Sequence, residues 1–133
     1  MNTNNGANPL RWDCEQRGCF NKKKRPKIEM FAECFPGRIS FGDVDGIVEI
    51  GGKALLLEWK PAPIEFAKGQ SIMYERLSAD KKFCILGVAG DAETMEVSHR
   101  CHFWGGNYRP WEPATLDNVR LAITEWVKWV KSK

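Results

Sequence analysis

The sequence contains no long apolar segment and no apolar leader. No run of residues approaches the roughly 18 consecutive apolar residues that a membrane-spanning helix requires. The start of the chain, MNTNNGANP, is polar and does not have the apolar core of a secretory signal. We therefore expect a cytoplasmic protein without a membrane partner.

An even number of cysteines is missing, since the chain has five. The five cysteines cannot all pair in disulfides; they are Cys14, Cys19, Cys34, Cys84 and Cys101. Without a secretory signal, an odd count favours reduced thiols in a reducing compartment. Cys14 and Cys19, together with His99, Cys101 and His102, form an alternative zinc-binding set. Their spacing is unusual for zinc, and strand alternation would place His102 on the opposite face from His99 and Cys101, so we do not expect zinc.

A large excess of charge of one sign is also missing, because the formal net charge is only +3. The positive charge is instead concentrated in one short run, which consists of Lys22, Lys23, Lys24, Arg25 and Lys27. Such a run suits contact with nucleic-acid phosphates, and a solvated loop is the alternative interpretation. The length of 133 residues suits a single domain over 1–133, in which we expect residues 1–8 to be disordered.

The pattern of apolar residues predicts an α/β domain with a mixed sheet. In chain order, the expected elements are a helix over 9–19, strands over 39–50 and 53–60, a helix over about 64–78, strands over 83–89 and 94–104, and a helix over about 115–131. The diglycine between the first two strands is a hairpin signal. The strand–helix–strand order that follows predicts a right-handed crossover and parallel pairing. Residues 104–113 are rich in glycine and proline and are predicted to be a loop.

Three of these elements have a predicted inner face. In the helix over 64–78 it is the stripe Phe66, Gln70, Met73 and Leu77. In the strand over 94–104, alternation places on one face Met95, Val97, His99, Cys101 and Phe103. In the last helix, which Thr115 can cap, the inner face is Val119, Ala122, Ile123, Trp126, Val127 and Val130.

The diglycine turn predicts which residues of the hairpin face each other. If the two glycines form the whole loop, Asp45 lies directly opposite Glu58, and Asp43 lies opposite Lys60. All four side chains then share one face of the sheet, because strand side chains alternate with a period of two.

Two carboxylates in this arrangement indicate a cation-binding site. Directly opposed residues have Cβ atoms about 4.5–5.5 Å apart, so Asp45 and Glu58 would repel each other unless an ion lies between them. Mg²⁺ binds one or two carboxylates together with water and phosphate oxygens. Lys60 on the same face could orient the attacking water or stabilise phosphate charge. The alternative is a strand end that emerges into solvent beside a salt bridge.

Two segments resemble the core motifs of the PD-(D/E)XK nuclease superfamily. They are Gly42-Asp-Val-Asp-Gly46 and Leu55-Leu-Leu-Glu-Trp-Lys60, although Val44 stands where the family motif has proline. Gln70-Ser-Ile-Met-Tyr74 is similar to the Q-x-x-x-Y element of RecB-like members. A second D-x-K triplet, Asp80-Lys81-Lys82, falls in a polar turn without an opposed acid, and we interpret it as a chance match.

The resemblance implies a restriction-endonuclease-like αβββαβ core with a metal site. Asp45, Glu58 and the backbone carbonyl of Trp59 would bind Mg²⁺, for which Mn²⁺ would be a substitute, and Lys60 would be the catalytic lysine. Gln70 and Tyr74 would complete the site. The acid of the first helix is assigned to Glu15, with Glu29 and Glu33 as alternatives.

These residues together predict a Mg²⁺-dependent nuclease that hydrolyses DNA, in repair, recombination or phage DNA processing. RNA as substrate, endo- or exonuclease action, and the number of metal ions stay open. A domain of this size is expected to form a homodimer or to join a larger DNA-processing complex. The alternative function is a catalytically inactive protein of the same fold that binds nucleic acid or a partner.

Overall fold

The computed structural model describes residues 27–133, and the chain divides between Gly42 and Asp43 into two compact units. In the first unit, Ile28–Cys34 forms a 3₁₀ helix. The ring of Phe41 makes edge contacts with Phe31 and Phe35, at centroid distances of 6.2 and 5.2 Å. The helix predicted over 9–19 and the predicted disorder of residues 1–8 lie outside the described residues.

The second unit is an α/β fold built on a five-stranded mixed sheet. Its elements are β1 (Gly46–Ile50), β2 (Lys53–Lys60), α1 (Lys68–Ser78), β3 (Phe83–Asp91), β4 (Glu96–Trp104), β5 (Asn107–Pro113) and α2 (Leu116–Lys131). The strand order is β1-β2-β3-β4-β5, in which only β2 and β3 are parallel. The predicted fold class is confirmed, including the parallel pair that flanks the α1 crossover.

The sheet has a core on each face. The α1-side core contains side chains from α1 and from the strands, namely Ala54, Leu56, Phe66, Tyr74, Ile85, Cys101 and Phe103. The α2-side core contains Leu55, Leu86, Val88, Val97, Val119, Trp126 and Val130. Adjacent residues of β2 and β3 therefore face different cores, which explains why these strands are almost continuously apolar.

The β1–β2 hairpin has the predicted register. Ile50 pairs with Lys53, and Gly46 pairs with Leu57. Both glycines of the turn adopt positive φ, 58° at Gly51 and 87° at Gly52, a region that favours glycine. The strand predicted over 39–50 is too long, however, because β1 begins only at Gly46. Glycine and aspartate have low strand propensity, and they interrupt the segment that precedes it.

The helix predicted over 64–78 begins four residues later, at Lys68, and its predicted inner stripe is partly wrong. Tyr74 and Ser78 are the buried residues of α1, whereas Met73 is 42% exposed. Gln70, Tyr74 and Ser78 lie four residues apart and so follow one helix face. Phe66 is buried as predicted, but it lies in the segment before the helix.

The predicted alternation along β4 is interrupted by a bulge. The register between β3 and β4 shifts by one residue between Ala89 and Gly90. Val97 consequently packs in the α2-side core, whereas Cys101 and Phe103 pack in the α1-side core. An extra residue in one strand reverses the faces that follow it, so the prediction of a common face for these side chains is wrong.

Residues 107–113 form a strand, β5, where a loop was predicted. β5 pairs with β4 through a turn at Gly105 and Gly106, whose φ values are 61° and 81°. This second diglycine is the same hairpin signal as the first. Pro110 favoured the prediction of a loop instead. Proline is tolerated here because β5 is an edge strand.

The predicted C-terminal helix is confirmed as α2. The Thr115 side chain accepts a hydrogen bond from the Asn118 backbone N–H, and the Asn118 side chain accepts one from the Thr115 N–H. This reciprocal cap satisfies two amides at the helix start. Within residues 27–133, neither helix has the length and apolarity needed to cross a membrane.

Candidate active site

Two acidic residues have their contacts near the end of β2. Alternation places Glu58 on the α1 side of the sheet, where it is only 9% exposed. Asp45 directly precedes β1, and its carboxylate accepts a 2.6 Å hydrogen bond from the Trp59 backbone N–H. Asp45 is therefore fixed to the backbone of the residue that follows Glu58. The predicted pairing of Asp45 directly opposite Glu58 is not part of the β1–β2 ladder, which ends at Gly46 and Leu57.

Both oxygens of Glu58 have partners. Oε1 accepts a 2.7 Å hydrogen bond from the Tyr74 hydroxyl, and Oε2 lies 3.6 Å from the Lys60 Nζ. The Tyr74 hydroxyl in turn accepts a 3.4 Å hydrogen bond from Gln70 Nε2. Gln70, Tyr74, Glu58 and Lys60 thus form a continuous polar network between α1 and β2.

Both carboxylates influence the pKa of the Tyr74 hydroxyl. Burial raises the pKa of the Tyr74 hydroxyl above its ordinary value, and Glu58 raises this pKa further, through its hydrogen bond and its charge. Asp45 adds to the increase in the pKa, whereas the hydrogen bond from Gln70 lowers it. Tyr74 therefore stays protonated near neutral pH and acts as a hydrogen-bond donor rather than as a base. The charge of Asp45 acts on the same hydroxyl as that of Glu58.

Two stacked aromatic rings, Phe66 and Trp111, form an aromatic wall beside Lys60. The Lys60 Nζ lies 5.4 Å from the ring centroid of Phe66, which stacks on Trp111 at 5.7 Å and 12°. Trp111 Nε1 donates a 2.9 Å hydrogen bond to the Ile64 carbonyl. Trp111 was missed in the sequence because β5 was predicted to be a loop.

Gly87 makes this wall possible. It is paired with Glu58 in the parallel register of β2 and β3. A Cβ atom at position 87 would overlap Cys101 Sγ and would lie 3.2 Å from Trp111 and 3.3 Å from Phe66. A glycine inside a buried strand is the sequence signal that could have indicated this close approach.

The donor set at this site fits a hard divalent cation with few protein ligands. Asp45 and Glu58 supply carboxylate oxygens, which suits Mg²⁺, since this ion takes one or two carboxylates and keeps several waters. The Trp59 carbonyl points to the same strand edge as its N–H, and Asp45 binds that N–H. Across residues 27–133, no three histidine, cysteine, aspartate or glutamate side chains gather as a metal-binding group. A third ligand from this part of the chain would therefore be a backbone carbonyl.

Several predicted site residues lie outside the described residues or in the first compact unit. Glu15 and the basic residues Lys22, Lys23, Lys24 and Arg25 lie outside the described residues, and Lys27 is half-buried in the first unit. Glu29 and Glu33 are exposed on the 3₁₀ helix of that unit. The prediction that Asp43 pairs opposite Lys60 is wrong, because the β1–β2 ladder ends at Gly46.

The second D-x-K triplet has a local structural role. The Asp80 carboxylate accepts a 2.9 Å hydrogen bond from the Lys82 backbone N–H and so stabilises the turn between α1 and β3. This turn leads into the start of β3, whereas Glu58 lies near the end of β2, which runs parallel to β3. The two triplets therefore lie toward opposite ends of the sheet.

No protein-family model, curated protein or solved structure matches this chain. The candidate site therefore consists of the network of Gln70, Tyr74, Glu58 and Lys60, together with Asp45 on the Trp59 N–H.

Proposed function

We propose that this chain is a metal-dependent nuclease of PD-(D/E)XK type that hydrolyses phosphodiester bonds of DNA. The observation that carries the proposal is the convergence of Asp45, Glu58 and Lys60 at the end of β2. Glu58 is nearly buried in an apolar strand, and such a carboxylate is costly unless it is paired or has a function.

In this proposal, Asp45, Glu58 and the Trp59 carbonyl hold Mg²⁺, for which Mn²⁺ substitutes. The bound ion would supply positive charge that polarises the phosphodiester and makes water a better nucleophile. The protein holds the two carboxylates in place through separate contacts. The Trp59 N–H orients Asp45, and the Tyr74 hydroxyl orients Glu58.

Lys60 is assigned the catalytic role beside the metal ligands. Its ammonium group is close to Glu58 and to the face of Phe66, and its side chain is 21% exposed. It can therefore reach a substrate phosphate while the network keeps its position. There it would orient the attacking water or stabilise the negative charge that develops on the phosphate oxygens.

A second candidate function is nucleic-acid binding without catalysis. The specific observation in its favour is that the network is already satisfied, since both Glu58 oxygens have protein partners and Asp45 accepts the Trp59 N–H. A carboxylate used in this way stabilises a strand end without any ion. Cleavage assays separate this candidate from the nuclease.

The test compares cleavage of supercoiled plasmid and branched DNA in Mg²⁺, in Mn²⁺ and in chelator. Asp45→Asn, Glu58→Gln and Lys60→Met change charge with little change of shape. We expect each to lower the cleavage rate by about 10²-fold or more, as the loss of a transition-state contact does.

The second D-x-K triplet offers matched controls. Asp80→Asn and Lys82→Gln alter the same residue types away from the network and should leave the rate within about twofold. Equal cleavage by the wild type and Glu58→Gln would rule out the proposed site. Salt-sensitive DNA binding without cleavage in any divalent ion would favour the second candidate.

A further inference from the structure

A second cluster of chemically distinctive residues lies at the other end of the sheet. The rings of Trp104 and Trp129 meet edge to face, with centroids 4.7 Å apart. Lys53 Nζ and Lys133 Nζ each lie 5.3 Å from the centroid of Trp129, and Lys81 Nζ lies 5.8 Å from that of Trp104. We call these five residues the lysine–tryptophan cluster.

The topology of the sheet creates this cluster. Lys53 begins β2, and Lys81 lies in the turn that leads into the parallel strand β3. Trp104 ends the antiparallel strand β4, so it lies at the same end of the sheet. Trp129 belongs to the last turns of α2, and Lys133 is the final residue of the chain. Segments far apart in sequence thus place three ammonium groups around two indoles.

The charges of this cluster are not neutralised within the described part of the chain. Lys53, Lys81 and Lys133 form no salt bridge there, whereas Lys60 is paired with Glu58 and Lys128 with Glu125. Lys81 also has a φ of 65°, a region that lysine rarely adopts. A residue that keeps a positive charge despite an unfavourable backbone conformation is a candidate for a binding role.

An aromatic groove adjoins the cluster on the α2 side of the sheet. It has a volume of about 700 Å³, and its lining includes Trp104, Trp126 and Trp129 together with Leu86, Arg100 and His102. Trp126 is 7% exposed, and its Nε1 has no hydrogen-bond partner among the described residues. The groove is thus rich in indole rings and shares Trp104 and Trp129 with the cluster, while Glu112 and Glu125 also line it.

We propose that the lysine–tryptophan cluster binds a single strand of nucleic acid. Bases stack on the Trp104 and Trp129 rings, while the ammonium groups of Lys53, Lys81 and Lys133 contact phosphates. Stacking on indoles next to unpaired lysines is the chemistry by which proteins bind single strands without reading sequence. The identity of the substrate rests on the proposed function. The cluster adds a second contact for that substrate.

The cluster is separate from the candidate active site. Lys53 precedes Glu58 by five residues, so the two lie about 16 Å apart along β2 and on opposite faces of the sheet. A nucleotide on the cluster therefore cannot be the one that is cut. The arrangement predicts a preference for substrates whose single-stranded part is long enough to reach both sites.

The test is fluorescence anisotropy of the full chain with a labelled oligothymidylate of about 16 nucleotides, within the usual site size of such surfaces. Chelator is present, so that neither cleavage nor a metal ion contributes. The triple variant Lys53→Gln, Lys81→Gln, Lys133→Gln should bind at least tenfold more weakly. Its log–log salt dependence should fall by about 2, since each single-strand phosphate contact contributes about 0.7.

The matched control removes the same charge elsewhere. The triple variant Lys68→Gln, Lys128→Gln, Lys131→Gln should change affinity less than threefold. Trp104→Leu should weaken the oligothymidylate but not an abasic oligomer of equal length, because only the former has bases to stack. Equal binding by the cluster variant and the control would overturn the proposal. So would a cluster variant that loses thermal stability but keeps its affinity, because the lysines would then merely cover the indoles.

The outcomes distinguish this proposal from the nuclease. A chain that binds the oligomer through the cluster but cuts nothing in Mg²⁺ would contradict the proposed catalysis alone. A chain that cuts DNA and binds equally well after loss of the three lysines would contradict the second site alone.

Discussion

The Tyr74 hydroxyl donates a 2.7 Å hydrogen bond to Oε1 of Glu58 and so joins helix α1 to the end of strand β2. Tyr74 is 2% exposed and Glu58 9% exposed, so water competes little for this bond. The strand that carries the candidate metal ligand is thereby linked to the crossover helix. The consequences for stability and for the site can be measured separately.

Tyr74→Phe should destabilise the protein by about 1–3 kcal/mol, because it leaves a nearly buried carboxylate oxygen without its donor. Urea unfolding at neutral pH measures this loss. Tyr108→Phe is the matched control, since the Tyr108 hydroxyl is buried and has no hydrogen-bond partner among the described residues. Its removal should be neutral or stabilising. Similar losses of unfolding free energy in both variants would contradict a specific stabilising role for the Tyr74–Glu58 hydrogen bond.

Gly87→Ala should cost about 1–3 kcal/mol, because the new methyl group overlaps Cys101 Sγ beside Phe66 and Trp111. The double variant Gly87→Ala, Cys101→Ala should lose less than the sum of the two single variants, since the sulfur atom that obstructs the methyl is gone. Thermal or urea unfolding of the wild type, the two single variants and the double variant gives this double-mutant cycle.

Gly90→Ala is the control for the double-mutant cycle of Gly87 and Cys101. A Cβ atom there would overlap the Glu96 backbone carbonyl, which a side-chain change cannot move. Gly90→Ala should therefore be destabilising with or without Cys101→Ala. Additive losses for Gly87→Ala and Cys101→Ala would contradict the assigned contact.

Stability should fall as the pH drops below about 6.5, in part because of His102. Burial lowers the pKa of His102, and the charges of Arg100 and Arg109 lower it further, while Glu112 opposes them. A histidine with a depressed pKa in the folded state contributes stability above its unfolded pKa of about 6.5, and this is lost as the pH falls toward the folded value.

His102→Gln should flatten the fall in stability between pH 6.5 and pH 5, measured by urea unfolding at several pH values. His99→Gln is the control, because within residues 27–133 the His99 side chain hydrogen-bonds to the neighbouring Ser98 hydroxyl alone. A pH dependence that is unchanged in His102→Gln would contradict the assignment.

Thr115→Ala should destabilise the fold by about 1 kcal/mol, because it removes the side-chain acceptor for the Asn118 N–H at the start of α2. Thr124→Ala, in the exposed middle of the same helix, should instead gain about 0.5 kcal/mol through helix propensity. Thermal unfolding of both variants checks the opposite signs.

The β1–β2 hairpin and the start of α2 could be predicted because their determinants are local. A diglycine accommodates the positive φ that a two-residue turn requires, and this sets the register from Ile50 and Lys53 to Gly46 and Leu57, next to which Asp45 accepts the Trp59 N–H. Thr115 and Asn118 satisfy each other within one helical turn. Gln70 and Tyr74 were predicted as site residues, and the structure places both in the hydrogen-bonded network of Glu58.

Other features depend on partners distant in the chain, and only the tertiary structure decided them. Tyr74 rather than Met73 faces the sheet because Glu58 and Phe66 lie there to receive it. The bulge near Gly90 exchanges the faces of β4, and β5 forms because the edge of β4 offers it hydrogen bonds. The sequence alone determined turn geometry and helix capping, which are backbone properties of a few adjacent residues. Which side chains meet across the sheet, including the lysine–tryptophan cluster, was decided by packing and pairing between segments that local sequence does not encode.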